Sequence, residues 1–378
     1  MKIAVNLIPL KGFQGIESYT QNVIRTLAER NPELELCLIL KKDSPSFLKE
    51  FHYPQLKPFF LSMPKFTKFS GIIMQQFSIY PLLKKIQPDL LFSPTPFMPA
   101  FFKRSVVVIH DCAYDRFPEE LPDSFRRAFI KGVYLLDKLQ ALKIITVSEF
   151  SKKELLELYK ISPNKIEVIY EAAPQLPLVN EELIQKTLQK FSLLNSPYFF
   201  YIGSMRPRKN LPKMIEAFQL FSRRHPGYKF VISGKIEKRF YKPLKLVEDY
   251  NLNKKVIFTD FVTQEEKAAL YKGSLALFFC SLYEGFGLPV LESQSLGVPV
   301  ITSNGSSLPE VAGSGALYAD PKEPEDMASK LEEIAFDIEL RENLVKKGFE
   351  NLKRFSWEKT TEDLLRIFSE LVQKSSSQ

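Results

Sequence analysis

Two successive series of short apolar segments, separated by longer amphipathic ones, constrain the fold of this chain more than any other feature. The apolar segments lack polar alternation, which is typical of strands covered on both faces. In the first half they are Lys2–Leu7, Glu35–Leu40, Asp89–Ser93, Ser105–Ile109, Lys143–Val147 and Ile166–Tyr170. In the second half they are Tyr198–Gly203, Lys229–Gly234, Lys255–Thr259, Leu275–Cys280 and Val298–Thr302. This repeated alternation predicts two doubly wound α/β domains, each with its own parallel sheet.

Helical spacing of apolar residues fills the gaps between the predicted strands. The predicted helices are Glu17–Arg30, Phe150–Tyr159, Leu211–Arg224, Gln264–Lys272, Pro289–Leu296, Glu323–Ala335 and Trp357–Val372. Prolines and a polar stretch separate the two series, so we predict a first domain over 1–172, a linker over 173–196 and a second domain over 197–354. The segment 355–378 is predicted to be a helix that packs back on the first domain, followed by a disordered tail.

Composition limits the classes of protein that fit this pattern. The 378 residues are 45% hydrophobic, which suits two globular domains and excludes intrinsic disorder. The sequence has no run of 18 uncharged apolar residues, which argues against a transmembrane helix. We interpret the start of the chain as a strand rather than a signal sequence. Three scattered cysteines and three histidines offer no metal-binding spacing, so we expect a cytoplasmic protein without a metal site.

The turn Tyr283–Glu292 carries two glycines and two glutamates between a predicted strand and a predicted helix. Gly285 and Gly287 allow backbone N–H groups to approach a ligand, and the following helix N-terminus favours phosphate. Glu284 and Glu292 lie eight positions apart, so one carboxylate can face the mouth of the sheet while the other accepts hydrogen bonds from a polyol. Taken alone, the turn fits equally well a structural role with one capping and one solvated glutamate.

A second loop, Gly203–Asn210, carries three cations where the strand Tyr198–Gly203 leads into a helix. Ligands of open α/β sheets bind at the carboxyl edge of the strands, and Arg206, Arg208 and Lys209 are suited to a diphosphate there. The alternative is a solvated basic turn. Two loops suited to phosphate in one predicted sheet favour ligand binding over that alternative.

These segments resemble family 4 of the glycosyltransferases, which are retaining, nucleotide-sugar-dependent enzymes of the GT-B fold. In the second half the resemblance is carried by YIGSMRPRKNL, VIFTDFV, YEGFGLPVLESQSLGVPVITSNGSSLPEVAG and ALYADPKEPEDMA. In the first half it is carried by QGIESYTQNVIRTL, VVVIHD, IITVSEFSKKEL and KIEVIYEA, and it is weakest between about Ser44 and Phe102. The family implies two Rossmann-like domains that face each other across a cleft, and a transfer that needs no metal ion.

The resemblance also implies how the donor is held. Arg208 and Lys209 would bind the diphosphate and neutralise the leaving nucleotide, with Arg206 as the alternative guanidinium. Glu292 would bind the ribose hydroxyls, and Glu284 would hydrogen-bond the transferred sugar.

Further matches complete the expected donor site. The backbone around Phe286, Gly287 and Leu288 would contact sugar and phosphate, and Val262 falls where the family places the nucleobase.

In the first half, the resemblance implies that His110 reaches the sugar from the opposite domain and that Gly15 leaves room for phosphate and acceptor. A lone histidine at a strand end is otherwise more often a packed residue. Asp111 beside it suits a cap of the following turn. Many relatives have two glycines in the first loop, whereas this chain has Gln14 and Gly15.

The PRKN and HD strings resemble bacterial mannosyltransferases of the family, which favours GDP-mannose over UDP-sugars as the donor and a glycan or lipid-linked acceptor. Two alternatives stay open: a sugar-nucleotide epimerase of GT-B fold and a non-catalytic binder of nucleotide sugars. An NAD-dependent dehydrogenase is disfavoured because no GxGxxG follows either first strand.

A Phe-rich stretch, residues 47–104, contains eleven phenylalanines, eight Lys or Arg and two acids. Basic residues interleaved with aromatics suit the face of an anionic membrane, which a lipid-linked acceptor would require. The other interpretation is that the phenylalanines pack inside the first domain. No nucleic-acid-binding motif is present, so we expect no nucleic acid partner and a peripheral location at the cytoplasmic face of the inner membrane.

Overall fold

The computed structural model describes residues 1–8, 14–41, 53–61, 78–96, 98–99, 102–235 and 237–376, and it forms two compact units. Unit 1 comprises Met1–Glu171 together with Ser356–Gln378, and unit 2 comprises Ala172–Phe355. Each unit contains one parallel sheet with helices between the strands. The predicted fold class, two doubly wound α/β domains, is confirmed.

The sheet of unit 1 has the order β3-β2-β1-β4-β5-β6-β7, and all of its neighbouring strands run parallel. Its strands are β1 (Lys2–Asn6), β2 (Glu35–Lys41), β3 (Leu56–Leu61), β4 (Leu90–Ser93), β5 (Ser105–Val108), β6 (Lys143–Thr146) and β7 (Ile166–Val168). Strands β4 and β5 are buried along their whole length and β6 is buried except at Lys143, as expected of strands covered on both faces.

Five of the helices described in unit 1 lie between these strands in sequence. They are α1 (Gln14–Arg30), α2 (78–86), α3 (Ala113–Arg116), α4 (Ser124–Gln140) and α5 (Glu149–Tyr159). The hydroxyl of Ser148 accepts a hydrogen bond from the Ser151 N–H at 3.0 Å, which makes Ser148 the N-cap of α5.

Strand β3 did not emerge from the sequence pattern, since it falls in the Phe-rich stretch, which has no clear period. Pro58 explains part of the difficulty, because proline cannot donate to a strand ladder and is tolerated mainly at sheet edges. β3 is an edge strand, and Pro58 lies opposite Leu38 of β2. The edge position of β3 therefore explains how a segment that contains a proline can form a strand.

Four phenylalanines of the Phe-rich stretch belong to the described residues. Phe92 is buried, Phe59 and Phe102 pack against the core, and Phe60 is 58% exposed. The other seven lie outside the described residues: 47, 51, 66, 69, 77, 97 and 101. Most of the phenylalanines on which the expected membrane contact depends therefore lie outside the described residues.

Unit 2 has a sheet of order β10-β9-β8-β11-β12-β13, again with all neighbouring strands parallel. Its strands are β8 (Tyr198–Ile202), β9 (Lys229–Ser233), β10 (Val256–Asp260), β11 (Ala276–Phe279), β12 (Val300–Ser303) and β13 (Leu317–Ala319). Its helices are α6 (Glu181–Lys190), α7 (Leu211–Arg224), α8 (Lys242–Asp249), α9 (Gln264–Lys272), α10 (Leu288–Ser295), α11 (Leu308–Ala312), α12 (Pro324–Phe336) and α13 (Ile338–Leu352).

The segment 173–196, expected to be a linker, belongs to unit 2 and contains α6. Leu188 at the end of α6 and Leu193 after it are buried in the core of unit 2. Asn180 caps the helix by accepting a hydrogen bond from the Leu183 N–H at 3.0 Å. Because an amphipathic helix must bury its apolar face, α6 extends unit 2 rather than spanning a gap between units.

The C-terminal helix, α14 (Trp357–Ser376), packs within unit 1. Leu364 and Phe368 are completely buried, and the Phe368 ring lies 5.4 Å from the ring of Phe92 on β4. The Thr360 hydroxyl donates to the Tyr170 carbonyl at 2.7 Å. The chain therefore returns to the unit in which it began. No helix of the described residues is long and apolar enough to cross a membrane.

We predict that Phe368→Ala lowers the free energy of unfolding of unit 1 by about 3–5 kcal/mol, because it removes a buried aromatic side chain. The chain has one tryptophan, Trp357, and it lies in α14, so its fluorescence reports on unit 1 during urea unfolding. The control is Phe336→Ala, which removes a ring that is 58% exposed in unit 2. An unchanged midpoint for Phe368→Ala would contradict the packing of α14.

Candidate active site

The basic loop after β8 is held by Asn210. The Asn210 side-chain amide donates to the carbonyls of Cys280 at 3.0 Å and Pro321 at 2.7 Å, and the residue is buried. Its backbone is left-handed, with a φ of 62°, a conformation that asparagine tolerates better than most residues. The Leu282 N–H also donates to the Arg208 carbonyl at 2.8 Å. The loop after β8 is thereby fixed to the segment that follows the adjacent strand β11.

This fixed loop brings two cations to Glu284. The Lys209 ammonium contacts both carboxylate oxygens of Glu284, at 2.6 and 2.8 Å, and a guanidinium nitrogen of Arg208 lies 3.5 Å from Oε2. The Lys209 ammonium also lies 5.2 Å from the centre of the Phe279 ring. All three charged side chains are largely buried. Opposite charges attract strongly where little water screens them, so these contacts define the positions of the three side chains.

Arg206, the alternative guanidinium of this loop, lies elsewhere. Its Nε is 3.8 Å from Oε1 of Glu237, and the other oxygen of that carboxylate, Oε2, lies 3.8 Å from Nε of Arg239. The structure therefore groups Arg208, rather than Arg206, with Lys209 and Glu284.

Two serines hydrogen-bond to the backbone of the turn that carries Glu284. The Ser307 hydroxyl lies 2.9 Å from the Glu284 carbonyl and 2.7 Å from the Phe286 carbonyl. The Glu284 N–H donates to the Ser306 hydroxyl at 3.3 Å. Gly287, the N-cap of α10, has a φ of 116°, which glycine adopts without strain. Of the two glycines predicted to matter in this turn, Gly287 thus has a backbone conformation that requires glycine.

Glu292, the second glutamate of the turn, is held by two side chains of α9. Its Oε1 accepts a hydrogen bond from the Lys267 ammonium at 2.8 Å, and its Oε2 accepts one from the Tyr271 hydroxyl at 2.9 Å. Lys267 and Tyr271 are four residues apart on one face of a helix. Burial and the charge of Glu292 together raise the pKa of Tyr271 well above its ordinary value, so the hydroxyl stays protonated as a donor.

A carboxylate has about four acceptor positions, so these two bonds do not exhaust the capacity of Glu292. A vicinal diol, such as a ribose presents, needs two acceptors. The geometry is therefore compatible with the ribose contact implied by the resemblance, while Lys267 and Tyr271 fix the orientation of the carboxylate.

The remaining expected donor residues lie in the same unit. Val262 is partly buried and directly precedes Thr263, which forms a capping box with Glu266 at the start of α9. Phe286 is buried with its ring 5.8 Å from that of Phe355, and Leu288 begins α10 half-buried. These residues follow β10 and β11, at the carboxyl edge where parallel sheets bind ligands.

In unit 1, both ring nitrogens of His110 face acceptors. Nδ1 lies 3.1 Å from Oε1 of Glu171, and Nε2 lies 3.0 Å from the Pro94 carbonyl. The ring also lies edge-to-face with Tyr19 at 5.0 Å. A carbonyl and a carboxylate both require a donor, so the two contacts are satisfied together only when both nitrogens carry protons.

The electrostatics agree with this cationic state. Burial, the largest single effect, lowers the pKa of His110, but the hydrogen bond and charge of Glu171 together with the hydrogen bond to the Pro94 carbonyl and the charge of Asp111 raise it, and the net shift is upward. His110 is therefore held by contacts on both ring nitrogens, and its expected contact with the sugar stays a prediction.

Backbone contacts fix the position of the His110 loop. The Ser151 hydroxyl donates to the His110 carbonyl at 3.0 Å, and the Tyr134 hydroxyl donates to the Asp111 carbonyl at 3.0 Å. Asp111 accepts a hydrogen bond from the Ala113 N–H at 2.9 Å, as expected for a turn cap. Gly15 lies exposed in the first turn of α1, with open space on the side where any other residue would carry its Cβ.

Four functional candidates were missing from the sequence interpretation: Asn210, Lys267, Tyr271 and Glu171. The i,i+4 spacing of Lys267 and Tyr271 could have suggested a shared helix face, but nothing in the sequence links them to Glu292. Among the described residues, no three His, Cys, Asp or Glu side chains converge as metal ligands would.

Two family models match the chain. "Glycosyltransferase Family 4" matches residues 13–173, and "Glycosyl transferases group 1" matches residues 184–351. Each match falls in one half of the chain, and together they include the His110 loop and the loops around Lys209 and Glu284.

The chain is 28% identical to "O-antigen chain mannosyltransferase B" of Escherichia coli, over 97% of this chain and 99% of that protein. It is 26% identical to "O-antigen chain mannosyltransferase RfbU" of Salmonella typhimurium, over 61% of each. Among solved structures, Anabaena Alr3699/HepE in complex with UDP-glucose matches with a TM-score of 0.78 at 18% identity, covering 98% of this chain and all of that one. The last similarity shows the fold alone.

We predict that Glu171→Gln lowers the pKa of His110, because it removes the carboxylate that opposes the effect of burial. The chain has three histidines, so NMR titration of isotope-labelled imidazoles can follow His110 directly. The control is Glu167→Gln on β7, whose carboxylate pairs with Lys143 and Arg366.

The same variant tests the linkage to stability. A pKa that folding raises contributes stability below the ordinary histidine value of about 6.5, and the contribution is lost as the pH rises through the folded value. The destabilisation by Glu171→Gln should therefore be greatest at acidic pH and smaller at alkaline pH. A His110 pKa unchanged by Glu171→Gln would show that the pair does not set its charge.

Proposed function

Because the chain belongs to family 4 of the glycosyltransferases, we propose that it transfers mannose from GDP-mannose to a glycan or lipid-linked acceptor in cell-surface polysaccharide synthesis, with retention of anomeric configuration. The observation that carries the proposal is the arrangement of Lys209 and Arg208 around Glu284 at the carboxyl edge of the unit 2 sheet. The two relatives named as O-antigen chain mannosyltransferases support mannose as the sugar and a surface polysaccharide as the pathway.

In the proposed donor complex, Arg208 and Lys209 bind the diphosphate. A guanidinium binds phosphate oxygens through two parallel hydrogen bonds, and an ammonium contributes a compact charge. As the bond between the sugar and the phosphate breaks, negative charge grows on the departing diphosphate, and cations already in place stabilise it most effectively. Asn210 and the Leu282–Arg208 backbone bond hold these cations in position.

Glu284 has two proposed tasks. It orients Lys209 through both carboxylate oxygens, and it accepts hydrogen bonds from hydroxyls of the transferred sugar. Glu292 binds the ribose hydroxyls of the nucleotide, in an orientation set by Lys267 and Tyr271. The backbone around Phe286, Gly287 and Leu288 and the side chain of Val262 complete the proposed donor site.

The acceptor is deprotonated, in this proposal, by the departing diphosphate on the same face of the sugar. The protein then contributes positioning and charge stabilisation rather than a covalent nucleophile. Unit 1 supplies the acceptor side, with His110 in the loop after β5 and Gly15 in the first turn of α1, which follows β1 in sequence. A lipid-linked acceptor places the reaction at the cytoplasmic face of the inner membrane.

A donor screen tests the proposed substrate. GDP-mannose should raise the melting temperature more than UDP-glucose or ADP-glucose at equal concentration, because a ligand that binds only the folded state stabilises it by about 2.7 kcal/mol at a hundredfold excess over Kd. Transfer of labelled mannose to an acceptor fraction, with NMR of the product anomer, checks the reaction and its stereochemistry.

Other outcomes of the screen point to the other functions. Preference for a UDP-sugar would overturn the proposed donor, and conversion of the donor sugar to its epimer without acceptor would identify an epimerase. Donor binding with no transfer to any acceptor would identify a non-catalytic binder.

We further predict that Lys209→Ala lowers kcat by roughly 10²–10³-fold, as expected when a group that stabilises developing negative charge is removed. Glu292→Ala should raise KM for the donor strongly, since the ribose contact forms before the reaction. The matched control is Lys213→Ala on α7, whose ammonium pairs with Glu216 at 2.9 Å. Melting temperatures establish that each variant is folded. Wild-type turnover by folded Lys209→Ala and Glu292→Ala proteins would exclude this site.

A further inference from the structure

The outward side of α13 in unit 2 carries an apolar stripe. Ile338 is 61% exposed and Phe349 46%, and Val345 lies partly buried between them. The spacing of these positions, seven residues and then four, places them along one side of the helix. α13 is anchored by its other side, where Leu344 and Asn351 are buried. Large apolar side chains that stay exposed on a helix already anchored elsewhere indicate an interaction surface.

A groove of about 550 Å³ runs along this stripe. Its lining includes Ser274, Leu275, Gly297 and Pro299 on one side and the side chain of Phe349 on the other. Gly297 has a φ of 68°, and a Cβ at this position would lie only 3.2 Å from Cζ of Phe349. The loop backbone therefore supports one part of the ring and leaves the rest exposed.

The groove lies far along the sheet from the candidate active site. Its loop residues directly precede β11 and β12, so they belong to the amino edge of the unit 2 sheet. The loops around Lys209 and Glu284 follow strands β8 and β11 at the carboxyl edge. An occupant of the groove is therefore separate from the proposed donor site.

Two charges of opposite sign border the stripe. Glu342 and Lys346 are exposed, line the groove and lie two residues to either side of Leu344. Within the part of the chain that the structure describes, neither side chain has an ion-pair or hydrogen-bond partner. The Arg341 guanidinium, by contrast, donates to backbone carbonyls at the end of α12. The stripe thus has an acidic border toward its N-terminus and a basic border toward its C-terminus.

This pattern is complementary to itself when it is reversed. In two α13 helices that run antiparallel about a two-fold axis at Leu344, Glu342 of each copy lies opposite Lys346 of the other. Ile338 of each copy then lies beside Phe349 of the other, because these residues are six before and five after the axis. Each contact of such an isologous pair forms twice. A parallel pair would instead place like charges together, which opposes association.

The same charges disfavour an anionic bilayer as the occupant, because Glu342 and the exposed Glu339 would face its headgroup phosphates. Two antiparallel helices also place the positive end of each macrodipole beside the negative end of the other. Charge complementarity therefore favours a second copy of the chain.

We propose that the protein forms a two-fold symmetric dimer through α13, in which the stripe of each copy lies along the groove of the other. Two ion pairs between Glu342 and Lys346 and two apolar contacts between Ile338 and Phe349 stabilise the interface. One pair of helices buries a small area, so the association is reversible and depends on concentration. The proposal does not depend on the donor or on the reaction.

The first test is sedimentation velocity of the full chain over a concentration series. The wild type should change from monomer to dimer as the concentration rises. Glu342→Lys and Lys346→Glu should each weaken the dimer by roughly tenfold, because each replaces two attractive contacts with two repulsive ones. The double variant with both changes should dimerise like the wild type, since the exchanged charges still pair.

A mixture of the two single variants tests the antiparallel geometry. One variant has lysine at positions 342 and 346, and the other has glutamate at both. In a mixed dimer every contact between these positions is therefore attractive. The mixture should associate like the wild type at a concentration at which each variant alone is monomeric.

Matched controls separate this interface from general exposure. Ile338→Ser with Phe349→Ser should weaken the dimer by roughly tenfold or more, because two apolar contacts are lost. Lys347→Glu reverses an exposed charge next to Lys346 but about 100° around the helix from it, outside the stripe. Leu178→Ser changes a leucine that is 99% exposed elsewhere in unit 2. Both controls should dimerise like the wild type, and melting temperatures establish that every variant is folded.

Three outcomes would overturn the proposal. The first is a wild type that stays monomeric over the whole series. The second is a dimer that neither single charge variant weakens, which would place the interface elsewhere. The third is a mixture of the two single variants that associates no better than each alone. Donor binding and mannose transfer should be unchanged in all α13 variants, so loss of the dimer can be told apart from failure of the proposed reaction.

Discussion

The candidate site of unit 2 depends on the side-chain amide of Asn210. Arg208 and Lys209 belong to a loop that leaves β8, and Glu284 belongs to a turn that follows β11. Adjacent parallel strands bring both segments to one edge of the sheet, but proximity alone leaves the loops free to move. The two hydrogen bonds from Asn210 to the Cys280 and Pro321 carbonyls remove that freedom. Both acceptors are buried backbone groups that need a donor, so the same contacts stabilise the fold and position the cations.

A second layer of polar contacts holds the carboxylates. Ser306 and Ser307 support the backbone of the Glu284 turn, and Lys267 and Tyr271 orient Glu292. Buried charged groups are costly unless they are paired and hydrogen-bonded, and here each glutamate has at least one cationic partner. The structure thus pairs two carboxylates with cations and fixes their orientation.

The sequence predicted most of the sheet and little of this second layer. Strand segments rich in Val, Ile and Phe are recognisable because burial on both faces removes polar alternation, and α7 and α9 begin and end where predicted. β3 was missed because Pro58 is tolerated only through its edge position, and β13, a three-residue edge strand of the second sheet, was also missed. α4 (Ser124–Gln140) was also missed, although it is amphipathic.

The site shows the same division. Glu284, Glu292 and Lys209 could be named as candidates from their local motifs together with the resemblance to the family. Lys267 and Glu171 could not, because their roles come from contacts between segments 25 and 61 residues apart in the chain. A sequence motif records which groups a ligand needs, whereas the groups that orient them are chosen by the tertiary fold.

The two sheets differ in the kind of charge that they present at their carboxyl edges. Unit 2 uses arginine and lysine, which ordinarily remain charged across the neutral range. Unit 1 uses a histidine, whose charge depends on its surroundings, and Glu171 raises its pKa against the effect of burial. A diphosphate needs a cation that does not titrate, so the arrangement in unit 2 suits the proposed donor.

In unit 1, the imidazolium ring of His110 instead hydrogen-bonds to the Pro94 carbonyl on one side and to Glu171 on the other. These two contacts connect the segment around Pro94 to Glu171, the last residue of the first part of unit 1. The contacts of His110 are therefore part of what orders the loops of this sheet.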